Sequence, residues 1–271
     1  MAIITISRGS MSGGEALATC LAQTLNYPII GREVLITAAE QLGVTEELLT
    51  QKFKQGPKLW ERLTSNRRLY LVAIQAALAE HTASGNLIYH GHAGHLLLRQ
   101  LPNILRIRLI APMEMRIQAV MERQHLDRQG AEEYIHHVDE ERVRWTKFLY
   151  GADWSDPALY DLVINLEKLT VKTACRTVKA LVAEPEFQIT EQVKQSIQDL
   201  RLACKVKFAL ASNRLTKDVA VEVRSDSGVI ELSGSIPQAG IYADVGDRDK
   251  DLLVATVRAV EGVRDVVTRL Q

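Results

Sequence analysis

The sequence predicts an α/β fold in which a parallel sheet flanked by helices spans residues 1–185 and a small α+β module spans residues 189–271. Three observations lead there. Short apolar, β-branched runs alternate with helically spaced segments through the first part. The first unit, Met1 to Ala18, reads as strand, glycine-rich turn and helix. Beyond Ile189 the order changes to helix, two strands joined by a tight turn, helix and strand.

The elements follow in chain order. Ile3-Ile4-Thr5-Ile6 is the opening strand, Ser7 to Gly14 the turn, and Leu17, Leu21 and Leu25 mark one face of the first helix. Tyr27 to Ile30 forms a short strand, and Arg32 leads into a helix ending near Gly43. Thr45, with Glu46 and Glu47 behind it, caps another helix. Residues 57–84 hold a helix with a broad apolar face that includes Leu69, Val72, Ala73, Ala76 and Ala77. Asn86 to His95 runs from strand into glycine turn, and Ile104 to Ile110 is a further strand. Pro112 opens a helix carrying Arg116 and Arg123, and a charged helix runs from Ala131 to Phe148. Tyr160 to Asn165 is a strand, and Thr170 caps a helix through Val182. In the second part, Ile189, Val193, Ile197 and Leu200 share a helix face. Strands follow at Val219–Val223 and Val229–Leu232, then a helix from Asp249 to Val260 and a strand from Val263 to Leu270.

Lys plus Arg and Asp plus Glu both number 33, and residues 189–271 hold 12 of each, which argues against nucleic acid or an anionic membrane surface as a charge-selected partner. Cys20, Cys175 and Cys204 are odd in number and set in apolar helices, so they read as reduced thiols of a cytoplasmic protein. No run has the length of a membrane span, and no secretory signal is visible.

The opening turn carries the most chemistry. A strand, a glycine-rich loop and a helix aim backbone N–H groups and a helix dipole at one point, where a phosphate is held. The same composition also suits a strand-to-helix connection that binds nothing. Measured from Gly9, the spacing matches G-x-x-x-x-G-K-[ST], but Glu15 stands at the lysine position and Ala16 at the hydroxyl position. Arg32 is either a second phosphate ligand or a solvated arginine. His90, His92 and His95 suggest a metal, yet no acidic or cysteine ligand accompanies them, and histidine also serves as a neutral hydrogen-bonding residue; no metal site is assigned. The charges from Asp139 to Lys147 suit a solvated helix laced with ion pairs or a lid whose arginines close over phosphates.

The order and spacing of Ile4-Thr5-Ile6-Ser7-Arg8, Ser12-Gly13-Gly14, Arg32-Glu33, Gly91-His92-Ala93-Gly94, Ala111-Pro112 with Arg116, Asp139-Glu140-Glu141-Arg142 and Tyr160 to Asn165 resemble the cytidylate-kinase-like family of the nucleoside monophosphate kinases. The resemblance implies a P-loop NTPase-like parallel sheet with a nucleotide-binding insert and a lid, and phosphoryl transfer from ATP with Mg2+ to CMP or dCMP. It implies that Ser7, Gly9, Ser10, Ser12, Gly13 and Gly14 cradle donor phosphates. Arg32, Arg116 and His92 then lie near the acceptor, and Arg142 and Arg144 are lid arginines oriented by Asp139. Three positions depart from the family pattern: Glu15 replaces a cation, Gly31 an Asp and His92 an Arg. Weak or lost catalysis is therefore expected of a nucleotide-binding protein, because an arginine on the transferring group is worth several powers of ten in rate. Gly228-Val229, Leu232-Ser233-Gly234 and Val260-Glu261-Gly262-Val263 with Val266 resemble a BON domain, which implies a lipid or protein ligand. The alternatives are a regulatory nucleotide-binding protein and a membrane-associated adaptor acting through that module.

Overall fold

In the computed structural model, residues 2–45, 47, 64–91, 93–234 and 244–270 are described. The helix expected after Thr45 lies almost wholly outside them.

Five strands form a parallel sheet: β1 (Ile3–Arg8), β2 (Ile29–Ile30), β3 (Leu87–Tyr89), β4 (Ile104–Ile110) and β5 (Leu162–Asn165), in the order β2-β3-β1-β4-β5. β1 lies at the centre, with Ile3 opposite Leu87 on one side and Ile104 on the other. Side chains alternate across the sheet, so neighbouring residues enter opposite cores. Ile3, Leu87, Tyr89 and Ile104 face one core, and Ile4, Ile6, Ile88, Leu105, Ile107 and Leu109 face the other. That burial on both faces explains why the strands read as nearly unbroken apolar runs.

The second core is closed by α1 (Gly14–Leu25) and α7 (Val171–Leu181), and the first by α2 (Glu33–Leu42), α3 (Thr64–Glu80) and part of α8 (Glu191–Ser212). A short helix, α4 (Gly94–Leu97), follows β3. Two long helices, α5 (Met113–Gln124) and α6 (Arg128–Tyr150), fold back on each other around Ile117, Val120, Ala131 and Ile135. Asp127 caps α6 by accepting the Gly130 N–H at 2.8 Å. Thr170 caps α7 as its sequence predicts, through the Thr173 N–H.

Several boundaries differ from the pattern, and two of them have a plain physical reason. β5 begins at Leu162, because Tyr160 closes a 3-10 turn over Pro157–Leu159 and Asp161 is bound to Arg106. α8 runs far beyond Leu200, and its later apolar residues, Ala203, Val206 and Leu210, enter a separate core. That core belongs to a mixed sheet of β6 (Val221–Asp226), β7 (Val229–Gly234) and β8 (Asp265–Leu270), covered by α9 (Asp244–Arg258). β6 and β7 are antiparallel, while β7 and β8 are parallel. One continuous helix thus supplies both cores. Among the described residues no helix is long and apolar enough to cross a membrane.

Leu200 packs in the first core one turn before the residues of the second. Leu200→Ala is expected to cost about 2–5 kcal/mol and to lower amide-exchange protection in both sheets; loss confined to β1–β5 contradicts the coupling.

Candidate functional site

The loop between β1 and α1 lies beyond the carboxyl end of the central strand, where parallel α/β sheets hold their ligands. Its shape requires glycine at one position in particular. Gly13 has a φ of 80°, and a Cβ there meets Leu166 at 2.9 Å. Met11 also takes a positive φ, 54°, and its side chain packs against the α5–α6 core. The N–H groups of Gly13, Gly14, Glu15 and Ala16 meet no acceptor among the described residues. They are the orphan donors of the α1 N-terminus.

A cavity of about 1020 Å³ opens over this loop. Ser10, Met11, Ser12, Gly13 and Gly14 line it, with Arg8, Arg123 and Arg142 around it. The Ser12 hydroxyl is buried without a hydrogen-bond partner. Backbone N–H groups, a hydroxyl and guanidinium groups are the donors that oxyanions accept from.

Asp139 of α6 clasps the loop from above. One carboxylate oxygen accepts the Ser10 N–H at 2.8 Å, and the other takes the Arg116 guanidinium. Arg116 Nε donates to the Ser10 carbonyl at 2.7 Å. Arg116 is therefore buried as a brace of the loop, not on the wall of this cavity. Arg142 stands 3.8 Å from Asp139 and donates to the Arg8 carbonyl at 2.8 Å. Burial, with Arg8 and Arg116 near it, lowers the Arg142 pKa from its ordinary value. Two cations thus share one carboxylate, a balance that favours a further anion.

Glu15 turns outward. Its carboxylate binds Arg123 at 2.9 Å, with both side chains more than 60% exposed, and that hydrogen bond is the main cause of its lowered pKa. The negative charge at the lysine position is thereby paired at the cavity mouth.

The remaining expected residues occupy other places. Ser7 accepts the Trp154 indole N–H at 2.6 Å and lies 3.3 Å from the Tyr160 hydroxyl, so its side chain joins a buried network below the cradle. Gly9 is pressed between Ser12 and Arg116, outside the cavity lining. Arg144 is exposed and off the cavity, because two residues along a helix turn through roughly 200° from Arg142. Arg32 begins α2 and is exposed at the end of β2. His92 lies outside the described residues. A Cβ on Gly31 comes within 3.0 Å of the His90 ring, so His90 fills the space beside Gly31. His95 stacks on Tyr160 with ring centroids 4.7 Å apart. No group of three or more metal-binding side chains occurs among the described residues.

Two functional candidates escaped the sequence reading. Arg8 is the last residue of β1, directly before the loop, and that position was the available signal. Arg123 is 108 residues from Glu15, and nothing local links them.

The likeness to known proteins lies in the first part of the chain. The Cytidylate kinase-like family matches residues 3–168. The cytidylate kinase of Ignicoccus hospitalis is 25% identical over 185 residues, covering 67% of this chain and 99% of that protein. The cytidylate kinase of Sulfurisphaera tokodaii is 26% identical over 179 residues, covering 66% and 93%. Among solved structures, an uncharacterized protein from Eubacterium ventriosum aligns with a TM-score of 0.53 at 20% identity, over 68% of this chain and 99% of that one.

Asp139→Ala leaves the Ser10 N–H and Arg116 without their acceptor, and is expected to lower stability by about 1–3 kcal/mol in urea denaturation. A second outcome concerns acid. Burial first, then Arg8, holds the His90 pKa below its ordinary value, against the opposing charges of Glu15 and Glu33. The unfolded chain therefore takes up this proton first, so the contribution is complete above about pH 6.5 and is lost as pH falls below it. His90→Gln should flatten that limb between pH 7.5 and 5.

Proposed function

We propose that this chain, which belongs to the cytidylate kinase-like family, holds the phosphates of a nucleoside triphosphate over the Ser10–Gly14 loop and transfers a phosphoryl group to a nucleoside monophosphate weakly or not at all. The observation that carries the reading is the convergence of free α1 N–H groups and the unpartnered Ser12 hydroxyl on a cavity lined by Arg8 and Arg142. The relatives named cytidylate kinase make ATP the donor and CMP or dCMP the acceptor to test first.

The chain's own chemistry separates binding from turnover. Backbone donors and arginines hold and orient the phosphates. Ala16 offers no side-chain oxygen to a magnesium ion, so Mg2+, which would screen phosphate charge in such a reaction, would have no ligand from that position. Glu15 brings no cation to the transferring group. Asp139 keeps Arg116 on the loop and stands beside Arg142.

We read residues 1–185 as the nucleotide-binding domain and 189–271 as a BON-like module with a lipid or protein ligand. The helix, strand, strand, helix, strand order and the positive φ of Gly228 and Gly262 support that assignment. The sharing of α8 between the two cores favours a regulatory variant of this reading, in which nucleotide occupancy is felt by the small sheet.

Thermal unfolding of the full chain tests the proposal. ATP at a hundredfold excess over Kd should raise the transition by about 5 °C, and Arg142→Ala should remove most of that shift. Turnover of CMP with ATP and Mg2+ should stay below about 0.1 s⁻¹, beneath the usual kinase range. No binding of any nucleotide overturns the reading, and ordinary kinase turnover overturns its account of Glu15.

A further inference from the structure

We infer that Arg8 supplies, from the end of β1, the phosphate-binding cation that the loop lacks at Glu15. This rests on the loop being a nucleotide-phosphate site, and it names the residue that meets the phosphate chain.

The geometry comes from Gly14. A Cβ built on that residue falls 1.8 Å from Arg8 Cδ and 2.6 Å from its Nε. The Arg8 side chain therefore lies across the first residue of α1, in space that only glycine leaves open. One hydrogen bond fixes its course: Arg8 Nη1 donates to the His90 carbonyl at 2.7 Å. The Arg8 main-chain carbonyl separately accepts from Arg142 Nη1 at 2.8 Å, which brings the second cavity arginine to the same strand end. A guanidinium carries five N–H donors, so the His90 bond leaves most of them unused. Arg8 lines the same cavity as Ser10 to Gly14.

Independent features of that cavity point to an anion: the buried Ser12 hydroxyl without a partner and the α1 N–H groups without acceptors. Glu15 is hydrogen-bonded to Arg123 at the mouth and acts on Arg8 as a nearby charge, not as a hydrogen-bond partner, so the remaining Arg8 N–H donors stay open to a ligand. A loop lysine delivers a point charge from the helix, whereas an arginine on the strand end presents a planar fork that can engage two phosphate oxygens. The positive charge has moved from one side of the loop to the other. In this arrangement Glu15 tunes the mouth of the site without emptying it.

Bracing the His90 turn is the competing role for Arg8, and a charge-relocation experiment separates the two. Calorimetry on the full chain would use ATP and inorganic triphosphate as probes, with wild type, Arg8→Gln, Glu15→Lys and the double variant. Arg8→Gln should weaken both probes about tenfold to a hundredfold, and adding Glu15→Lys to it should recover at least about tenfold of that affinity. Unchanged triphosphate binding in Arg8→Gln, or no recovery in the double variant, overturns the inference. If Arg8→Gln does not fold, Glu15→Lys alone decides. It should then tighten triphosphate binding less than about threefold, and a hundredfold gain would show that the site lacked its cation. Wild type that binds neither probe refutes the nucleotide reading itself, whereas wild-type binding that ignores Arg8 refutes only this assignment.

Discussion

The carboxylate of Asp139 is the constraint on which the site depends. It accepts the Ser10 N–H, binds Arg116 and stands beside Arg142, so the β1–α1 loop, α5 and α6 meet at one side chain. Ser10 and Asp139 are 129 residues apart, and only the central position of β1 in the sheet brings the loop beneath the helical hairpin. Asp139 is partly exposed, while Arg116 is almost buried. A buried arginine needs its carboxylate, and the clasp therefore sets the loop's shape whether or not phosphate is present.

That arrangement accounts for how the loop holds its shape with a glutamate at position 15. Phosphate recognition by a helix N-terminus comes from backbone donors, which no side-chain replacement removes. Glu15 is paired with Arg123 at an exposed position, where an ion pair is worth little but still directs the carboxylate away from the loop floor. On the proposed reading, catalysis is another matter: phosphoryl transfer requires positive charge at the transferring group, and neither Glu15 nor Ala16 provides it. On that reading binding and turnover respond to different atoms of the same loop.

Much of the fold was legible in the sequence because strand patterning and helix caps are local. β4 begins and ends where alternation places it, Gly43 takes the left-handed cap of α2, and Thr170 starts α7. The length of α8 was not legible, since beyond Leu200 it serves both cores at once, Cys204 and Phe208 toward the first and Ala203, Val206 and Leu210 toward the second, without a break in period. The site was half legible. Composition marked Ser10 to Gly14, but it did not show that Ser7 turns to Trp154 or that Arg116 is drawn into the loop. Helical period alone separates Arg142 from Arg144, while the approach of Arg123 to Glu15 and of Arg8 to Gly14 exists only after the chain folds.

The central claim is that nucleotide phosphate rests on the amides at the start of α1. The most direct measurement is the NMR response of the Gly13 and Gly14 backbone amides as ATP is added to the ¹⁵N-labelled full chain. Large, saturable shifts at both glycines are expected, since their N–H groups gain a phosphate acceptor that the folded chain does not provide. Saturable shifts elsewhere, with these two amides unmoved, would contradict the account.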